Sequence, residues 1–231
     1  MQTVYSENMD VLDEKAAMAI ATSLNEVLKC KKHVILAVPG GRSVAGIFRR
    51  LLVQRINWNK VHIFMVDERL VPIDDDESNF RMARKTFIAE LTRKGRIPER
   101  NIHPFIYDGK AGDFGIRHYE TELKSCGGKY DVVLLSAGED EHIGALFPNH
   151  HSIKDNAEFY ISMSDSPKPP KGRMSASRKL LCGAEAAVIL FFGEQKREAF
   201  NKFMSAKSDI ISCPARIAMS AKKTLVVTDL K

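Results

Sequence analysis

HVILAVPGGRSVAGIFRRLLV, residues 33 to 53, is the stretch of sequence that decides the fold. His33 to Val38 is a short apolar run rich in β-branched residues, which predicts a buried strand, and Val44 to Val53 has helical periodicity. Between them, residues 39 to 43 (PGGRS) predict a tight glycine turn. A strand, a turn and a helix in this order are typical of a parallel α/β sheet.

Three later segments repeat this arrangement of a buried strand followed by a polar turn and a helix. The predicted strands are Val61 to Val66, Asp131 to Leu135 and Ala186 to Phe192. The helix after the first of them is expected to begin near Ser78 or Asn79. A short helix is expected after the second strand, and a helix to about residue 204 after the third.

The flanking segments complete the predicted sheet. Thr3 to Tyr5 is a possible edge strand, Asp10 to Leu28 has one apolar helical face, and Leu225 to Thr228 predicts a closing strand. We therefore expect an open, mostly parallel twisted sheet with helices on both faces, of the Rossmann-like kind. Residues 1 to 231 are predicted to form a single domain.

Composition and charge exclude several classes of protein. The net charge is +6, but the basic residues are dispersed among acidic ones, so nucleic-acid binding is not predicted. No apolar run is long enough for a membrane span, and the first residues do not resemble a secretion signal. The four cysteines have no spacing typical of zinc sites or disulfides. We expect a cytosolic protein, a monomer or a weak homo-oligomer, that binds a small molecule.

The chemically rich segments all follow predicted strands. They are residues 39 to 43, 67 to 69, 136 to 142 and 193 to 196. In open parallel sheets, ligands bind outside the carboxyl ends of the strands. The four segments are therefore predicted to converge on one pocket, although each alone could be an ordinary turn.

His142 is the candidate general base. It follows an apolar strand, and the neighbouring carboxylates can orient its ring. Imidazole exchanges protons near neutral pH, so it suits this role, whereas the other six histidines lack this setting. Asp67, at another strand end, is the second catalytic candidate, because a carboxylate there can hold sugar hydroxyls or move protons. A local ion pair with Arg69 is the alternative interpretation.

Several residues are candidates for binding an anionic substrate. Gly40 and Gly41 let backbone N–H groups approach an anion at the start of a helix. Lys168 and Arg173 belong to a stiff, cationic, proline-rich loop, and Lys196 lies just beyond a strand end. A surface linker and a solvated helix are the alternatives for these basic residues. The acidic loop DDD, residues 74 to 76, is expected to be a solvated turn, so no metal ligand is predicted.

Together these segments resemble the 6-phosphogluconolactonase family, within the larger group that includes glucosamine-6-phosphate deaminases and isomerases. Residues 138 to 142 (GEDEH) with 145 to 148 (ALFP) resemble the family pattern GEDGHxASLFP. Residues 66 to 72 with 78 to 80 (SNF) resemble its DERxVP and SN-aromatic signature. Residues 39 to 43, 166 to 170 (SPKPP) and 193 to 196 (GEQK) also match family segments.

The resemblance implies hydrolysis of 6-phospho-D-glucono-1,5-lactone to 6-phosphogluconate in the oxidative pentose phosphate pathway, with no cofactor. It implies His142 as the base and Asp67 and Arg69 as pocket residues. It also makes six residues candidate phosphate and hydroxyl contacts: Gly40, Gly41, Arg42, Lys168, Arg173 and Lys196.

Two departures from the family pattern bear on activity. Glu141 and Ser136 stand where glycine is common, and a positive φ at Glu141 is expected to be strained. Two other functions stay open. A glucosamine-6-phosphate deaminase is disfavoured by the LFP and SPKPP segments, and a phosphosugar-binding protein without turnover would remain if Glu141 abolished catalysis.

Overall fold

The computed structural model describes residues 1 to 231, and its main feature is a seven-stranded sheet. Every neighbouring pair in this sheet is parallel. In spatial order, the strands are β1 (Gln2–Tyr5), β10 (Lys223–Thr228), β9 (Ala186–Phe191), β6 (Val132–Ser136), β2 (Val34–Val38), β3 (Val61–Met65) and β5 (Ile102–His103). The predicted open, parallel sheet is confirmed.

Helices cover both faces of the sheet. The α-helices are α1 (Met9–Leu28), α2 (Ala45–Leu51), α3 (Asn79–Ala83), α4 (Ala89–Arg93), α5 (Ile116–Ser125), α6 (His151–Lys154), α7 (Arg178–Cys182) and α8 (Arg197–Met204). A π-helical turn, Arg84–Ile88, joins α3 to α4. None of the helices combines the length and the apolar character needed to cross a membrane.

Strand β2 shows why the central strands are apolar on both sides. Ile35 and Ala37 belong to one hydrophobic core, which includes residues of α5, α7 and α8. Val34, Leu36 and Val38 belong to a second core, which includes residues of α1 and α2. Because successive side chains of a strand point to opposite faces, a strand between two helical layers needs apolar residues at every position.

A second, three-stranded antiparallel sheet was not predicted. It consists of β4 (Asp67–Arg69), β8 (Arg173–Ala176) and β7 (Tyr160–Met163). Each strand has only three or four residues, too few for the sequence to show a clear alternation. Arg173 is therefore the first residue of a strand rather than the end of a loop.

The short helix expected after residues 136 to 142 is α6, which begins only at His151 because the chain first turns repeatedly. Glu141, Gly144 and Asn149 all have positive φ values, which interrupt a right-handed helix. The other predicted helices and strands are present, with ends that differ by at most two residues.

Candidate active site

The carboxyl ends of β2, β3, β6 and β9 border a single cleft of about 310 Å³. Eight of the nine predicted site residues line it: Gly40, Gly41, Asp67, Arg69, His142, Lys168, Arg173 and Lys196. Arg42 does not line the cleft, and its side chain is exposed. The structure therefore brings eight of the candidate residues together at the carboxyl ends of the strands, while a contact between Arg42 and the substrate stays a prediction.

The imidazole of His142 is held on three sides. Its Nδ1 lies 2.5 Å from Oδ1 of Asp140, and its ring lies 4.8 Å from that of Phe147, measured between ring centroids. A Cβ atom at Gly138 would lie only 2.1 Å from Nδ1 of His142, so this position must be glycine. The ring consequently has a defined orientation at the wall of the cleft.

Asp140 determines which nitrogen of His142 carries the proton. Burial alone would raise the pKa of Asp140, but the hydrogen bond and charge of His142, together with Lys168, hold this pKa well below its ordinary value. Lys168 Nζ lies 3.0 Å from the same carboxylate oxygen. Because an ionised carboxylate can only accept hydrogen bonds, we assign the proton to Nδ1 of His142. Nε2, which has no hydrogen-bond partner within the protein, then carries the lone pair needed to accept a proton.

Asp67 and Glu68 have different roles, although they are adjacent. Asp67 lines the cleft and accepts a hydrogen bond of 3.1 Å from Nδ2 of Asn79. Glu68 is buried away from the cleft, where it accepts hydrogen bonds from the backbone N–H groups of Arg69, Asn79 and Phe80. Glu68 thus fixes the loop that carries Arg69 and Asn79, and Asp67 is left to face a ligand.

The antiparallel sheet brings two arginines together. Arg69 and Arg173 are directly paired across β4 and β8, and both line the cleft. Arg173 donates to the backbone carbonyls of Pro169 and Pro170, while Nε of Arg69 is buried and has no partner. Burial and the neighbouring charge of Arg69 lower the pKa of Arg173. Two adjacent guanidinium groups with an unpaired donor are well suited to hold an anion.

Lys196 is a buried ammonium without a carboxylate partner. It lies in the 3₁₀ turn Glu194–Lys196 after β9, and its Nζ donates to Oγ of Ser136 at 3.3 Å. Burial is the main cause that lowers the pKa of Lys196, and the nearby charge of Lys168 contributes. Since a buried charge is costly without a partner, Lys196 also indicates an anionic ligand.

The glycine turn contributes backbone to the cleft because Gly40 packs tightly against Asn79. A Cβ atom at Gly40 would lie 1.9 Å from Oδ1 of Asn79. Gly41 has a φ of 98°, which also favours glycine. The turn therefore lies close to Asp67, since Asn79 contacts both segments.

Nine further residues line the cleft without an individual role predicted from the sequence. These are Pro39, Ser43, Asn79, Ser136, Ala137, Gly138, Gly144, Phe147 and Pro169. Asn79 lay within the recognised SNF segment, but its contact with Gly40 depends on the fold. Two groups of side chains that could ligate a metal ion, His62–His103–Cys126 and His150–His151–Asp165, are not among the residues that line the cleft.

Glu141, which stands where glycine is common in the family pattern, has a positive φ. Its φ is 64°, and its buried carboxylate lies 2.9 Å from Nζ of Lys202. Its side chain does not line the cleft. The departure from glycine therefore strains the backbone beside His142 without placing a new charge in the cleft.

We expect Glu141→Gly to unfold at a higher urea concentration than Glu141→Ala, by about 1 kcal/mol in the free energy of unfolding. Both substitutions remove the ion pair with Lys202, so the difference isolates the backbone strain. Because the side chain lies outside the cleft, kcat should be unchanged in both variants. Equal stability of the two variants would show that the positive φ is not strained.

Taken together, the fold and the cleft are those of an α/β protein whose basic cleft suits a small anionic ligand. A histidine oriented by a carboxylate lies at the carboxyl ends of parallel strands. The other charged side chains lining this cleft are four basic groups and one carboxylate. Comparison with known proteins gives the family.

The chain belongs to the family described as glucosamine-6-phosphate isomerases/6-phosphogluconolactonase, whose sequence model matches residues 7–227. The 6-phosphogluconolactonase of Borreliella burgdorferi is 32% identical over 231 residues, covering 100% of this chain and 97% of that protein. The 6-phosphogluconolactonase of Mycobacterium bovis is 28% identical, covering 95% of this chain and 92% of that protein. These relatives confirm the predicted family and the predicted class of enzyme.

The fold is shared with solved structures of the same family. The crystal structure of 6-phosphogluconolactonase from Thermotoga maritima superposes with a TM-score of 0.82, at 23% identity, over 99% of this chain and 98% of that chain. At this identity the likeness establishes the fold alone. The roles of individual residues in the cleft therefore rest on their geometry.

Proposed function

We propose that this protein hydrolyses 6-phospho-D-glucono-1,5-lactone to 6-phosphogluconate, with His142 as the general base and without a metal ion. The observation that carries the proposal is the free Nε2 of His142, oriented by Asp140, in a cleft that four basic side chains line. The names of the curated relatives support the same substrate.

In the proposed reaction, Nε2 of His142 accepts a proton from a water molecule as that water attacks C1 of the lactone. The negative charge that develops on the carbonyl oxygen is favoured by the positive potential of the cleft. When the C1–O5 bond breaks, imidazolium returns the proton to the ring oxygen, which becomes the hydroxyl of the open chain. Asp140 stays ionised and stabilises the imidazolium between these two steps.

The basic residues have a separate function, which is to anchor the phosphate. Arg69, Arg173, Lys168 and Lys196 come from three segments of the chain, and Lys196 has no carboxylate partner of its own. Such a cleft concentrates anionic substrates and holds the lactone carbon near His142. Asp67 is placed to bind sugar hydroxyls, since its carboxylate faces the cleft beside Asn79.

We expect a chelator to leave kcat and KM for the lactone unchanged. A lactone is an activated ester, so a positioned base and an anchored phosphate can suffice without a Lewis acid. The measurement compares initial rates before and after dialysis against EDTA, corrected for spontaneous hydrolysis. Loss of activity that a divalent ion restores would contradict the metal-free mechanism.

The glucosamine-6-phosphate deaminase alternative can be tested with the same preparation. Ammonia release from glucosamine 6-phosphate should be undetectable at enzyme concentrations that open the lactone rapidly. If ammonia is released and the lactone is opened only at its spontaneous rate, the substrate assignment is wrong. Cytosolic location, a monomeric or weakly associated state and the absence of nucleic-acid partners stay predictions from the sequence.

A further inference from the structure

A second cluster of chemically reactive side chains lies away from the cleft. His62 is the second residue of β3, His103 is the last residue of β5, and Cys126 directly follows α5. Asp67 follows His62 by five positions, about 16 Å along an extended chain. The cluster therefore lies toward the opposite end of the strands from His142.

The three potential ligand atoms are close enough to share one metal ion. Nδ1 of His62 lies 2.9 Å from Nε2 of His103, and Sγ of Cys126 lies 3.3 Å from the first nitrogen and 3.8 Å from the second. The circle through these three atoms has a radius of about 2.0 Å, close to a Zn–N bond length. In tetrahedral zinc sites, N···N and N···S separations are about 3.3 and 3.6 Å, so the observed separations agree within about 0.5 Å.

The surroundings of the cluster also resemble those of a metal site. Nδ1 of His103, which points away from the other two ligand atoms, lies 3.3 Å from a carboxylate oxygen of Glu122. A carboxylate behind a ligating imidazole fixes its orientation and increases its basicity in zinc proteins. His103 and Cys126 are each 8% exposed, and His62 is half-buried, so an ion can enter from one side.

We propose that His62, His103 and Cys126 bind one Zn²⁺ ion, with water as the fourth ligand. Two imidazole nitrogens and one thiolate form a ligand set that suits zinc. The ion would link β3, β5 and the end of α5, three segments that are distant in sequence. Its role is structural, because the cluster shares no residue with the cleft.

The test is zinc binding by the chelator-treated protein, measured by competition with a chromophoric chelator. The parent chain should bind about one equivalent of Zn²⁺, and its melting temperature should rise when zinc is added. Substitution with Co²⁺ should give a thiolate-to-cobalt charge-transfer band. Cys126→Ser and His62→Gln should each weaken zinc binding more than about 100-fold. Glu122→Gln should weaken it about 10- to 100-fold, as expected for a carboxylate that orients a ligating histidine without binding the ion itself.

His151→Ala is the matched control, because it disrupts the exposed His150–His151–Asp165 group instead. It should leave the stoichiometry unchanged, and lactone hydrolysis should persist in all these variants, which verifies that they are folded. The proposal would be overturned if the parent protein bound no zinc at micromolar concentrations. It would also be overturned if both Cys126→Ser and His62→Gln still bound zinc like the parent, or if His151→Ala lost zinc binding. If the zinc proposal fails in one of these ways while lactone turnover is unchanged, the proposed lactone hydrolysis still stands.

Discussion

His142→Ala is expected to lower kcat for the phosphorylated lactone by about 10² to 10⁴, the usual contribution of a general base. The proposed phosphate contacts come from other segments, so the affinity for 6-phosphogluconate should be largely retained. The kcat of the parent should also decrease at acidic pH, because a protonated imidazole cannot accept a proton from water. The variant should lose this pH dependence.

Asp140→Asn is the companion variant for this prediction. An amide can donate a hydrogen bond to Nδ1 of His142 and so favour the wrong tautomer, which should lower kcat with little effect on KM. His118→Ala, at an exposed histidine, is the control and should be fully active. If His142→Ala hydrolyses the lactone at the parent rate between pH 5 and 8, the assignment of the base is wrong, and Asp67 becomes the next candidate.

Lys196→Ala is expected to raise KM for the phosphorylated lactone by about 10- to 150-fold, from the loss of about 1.5 to 3 kcal/mol of charged hydrogen bonding. The unphosphorylated lactone is the control substrate, and its kinetics should change little. Arg42→Ala provides a second comparison. The resemblance predicts a rise in KM for it as well, but its exposure leads us to expect a smaller one. Equal damage to both substrates would show that Lys196 does not bind the phosphate.

The lowered pKa of Lys196 adds a pH dependence to this prediction. A lysine whose pKa is lowered loses its proton at a lower pH than an ordinary lysine, and a neutral amine no longer attracts phosphate. The dissociation constant of 6-phosphogluconate, measured by calorimetry, should therefore rise as the pH becomes alkaline. Lys196→Ala should show a weaker dependence, and an identical pH profile in both proteins would contradict the role of this ammonium.

The main sheet and the location of the cleft could be predicted because they depend on local patterns. Val34 to Val38 and Ala186 to Phe191 are buried at every position, and such short apolar runs are recognisable in the sequence. The rule that ligands bind at the carboxyl ends of parallel strands then places Asp67 and His142 at the same edge.

The contacts within the cleft could not be predicted, because they join residues that are far apart in the chain. The pairing of Arg69 with Arg173 depends on a short antiparallel sheet with no clear alternation in its sequence. Three carboxylates precede His142, and only the fold shows that Asp140 contacts the ring while Glu141 turns toward Lys202. Likewise, cysteine spacing gave no sign that Cys126 meets two histidines.

The most direct test of the central claim is the rate at which the purified protein opens freshly prepared 6-phospho-D-glucono-1,5-lactone, compared with the spontaneous rate. We expect a rate that increases in proportion to protein concentration, saturates with substrate, and returns nearly to the spontaneous rate in His142→Ala. A rate equal to the spontaneous one at every protein concentration, with 6-phosphogluconate still bound, would contradict the account and leave a phosphosugar-binding protein without turnover.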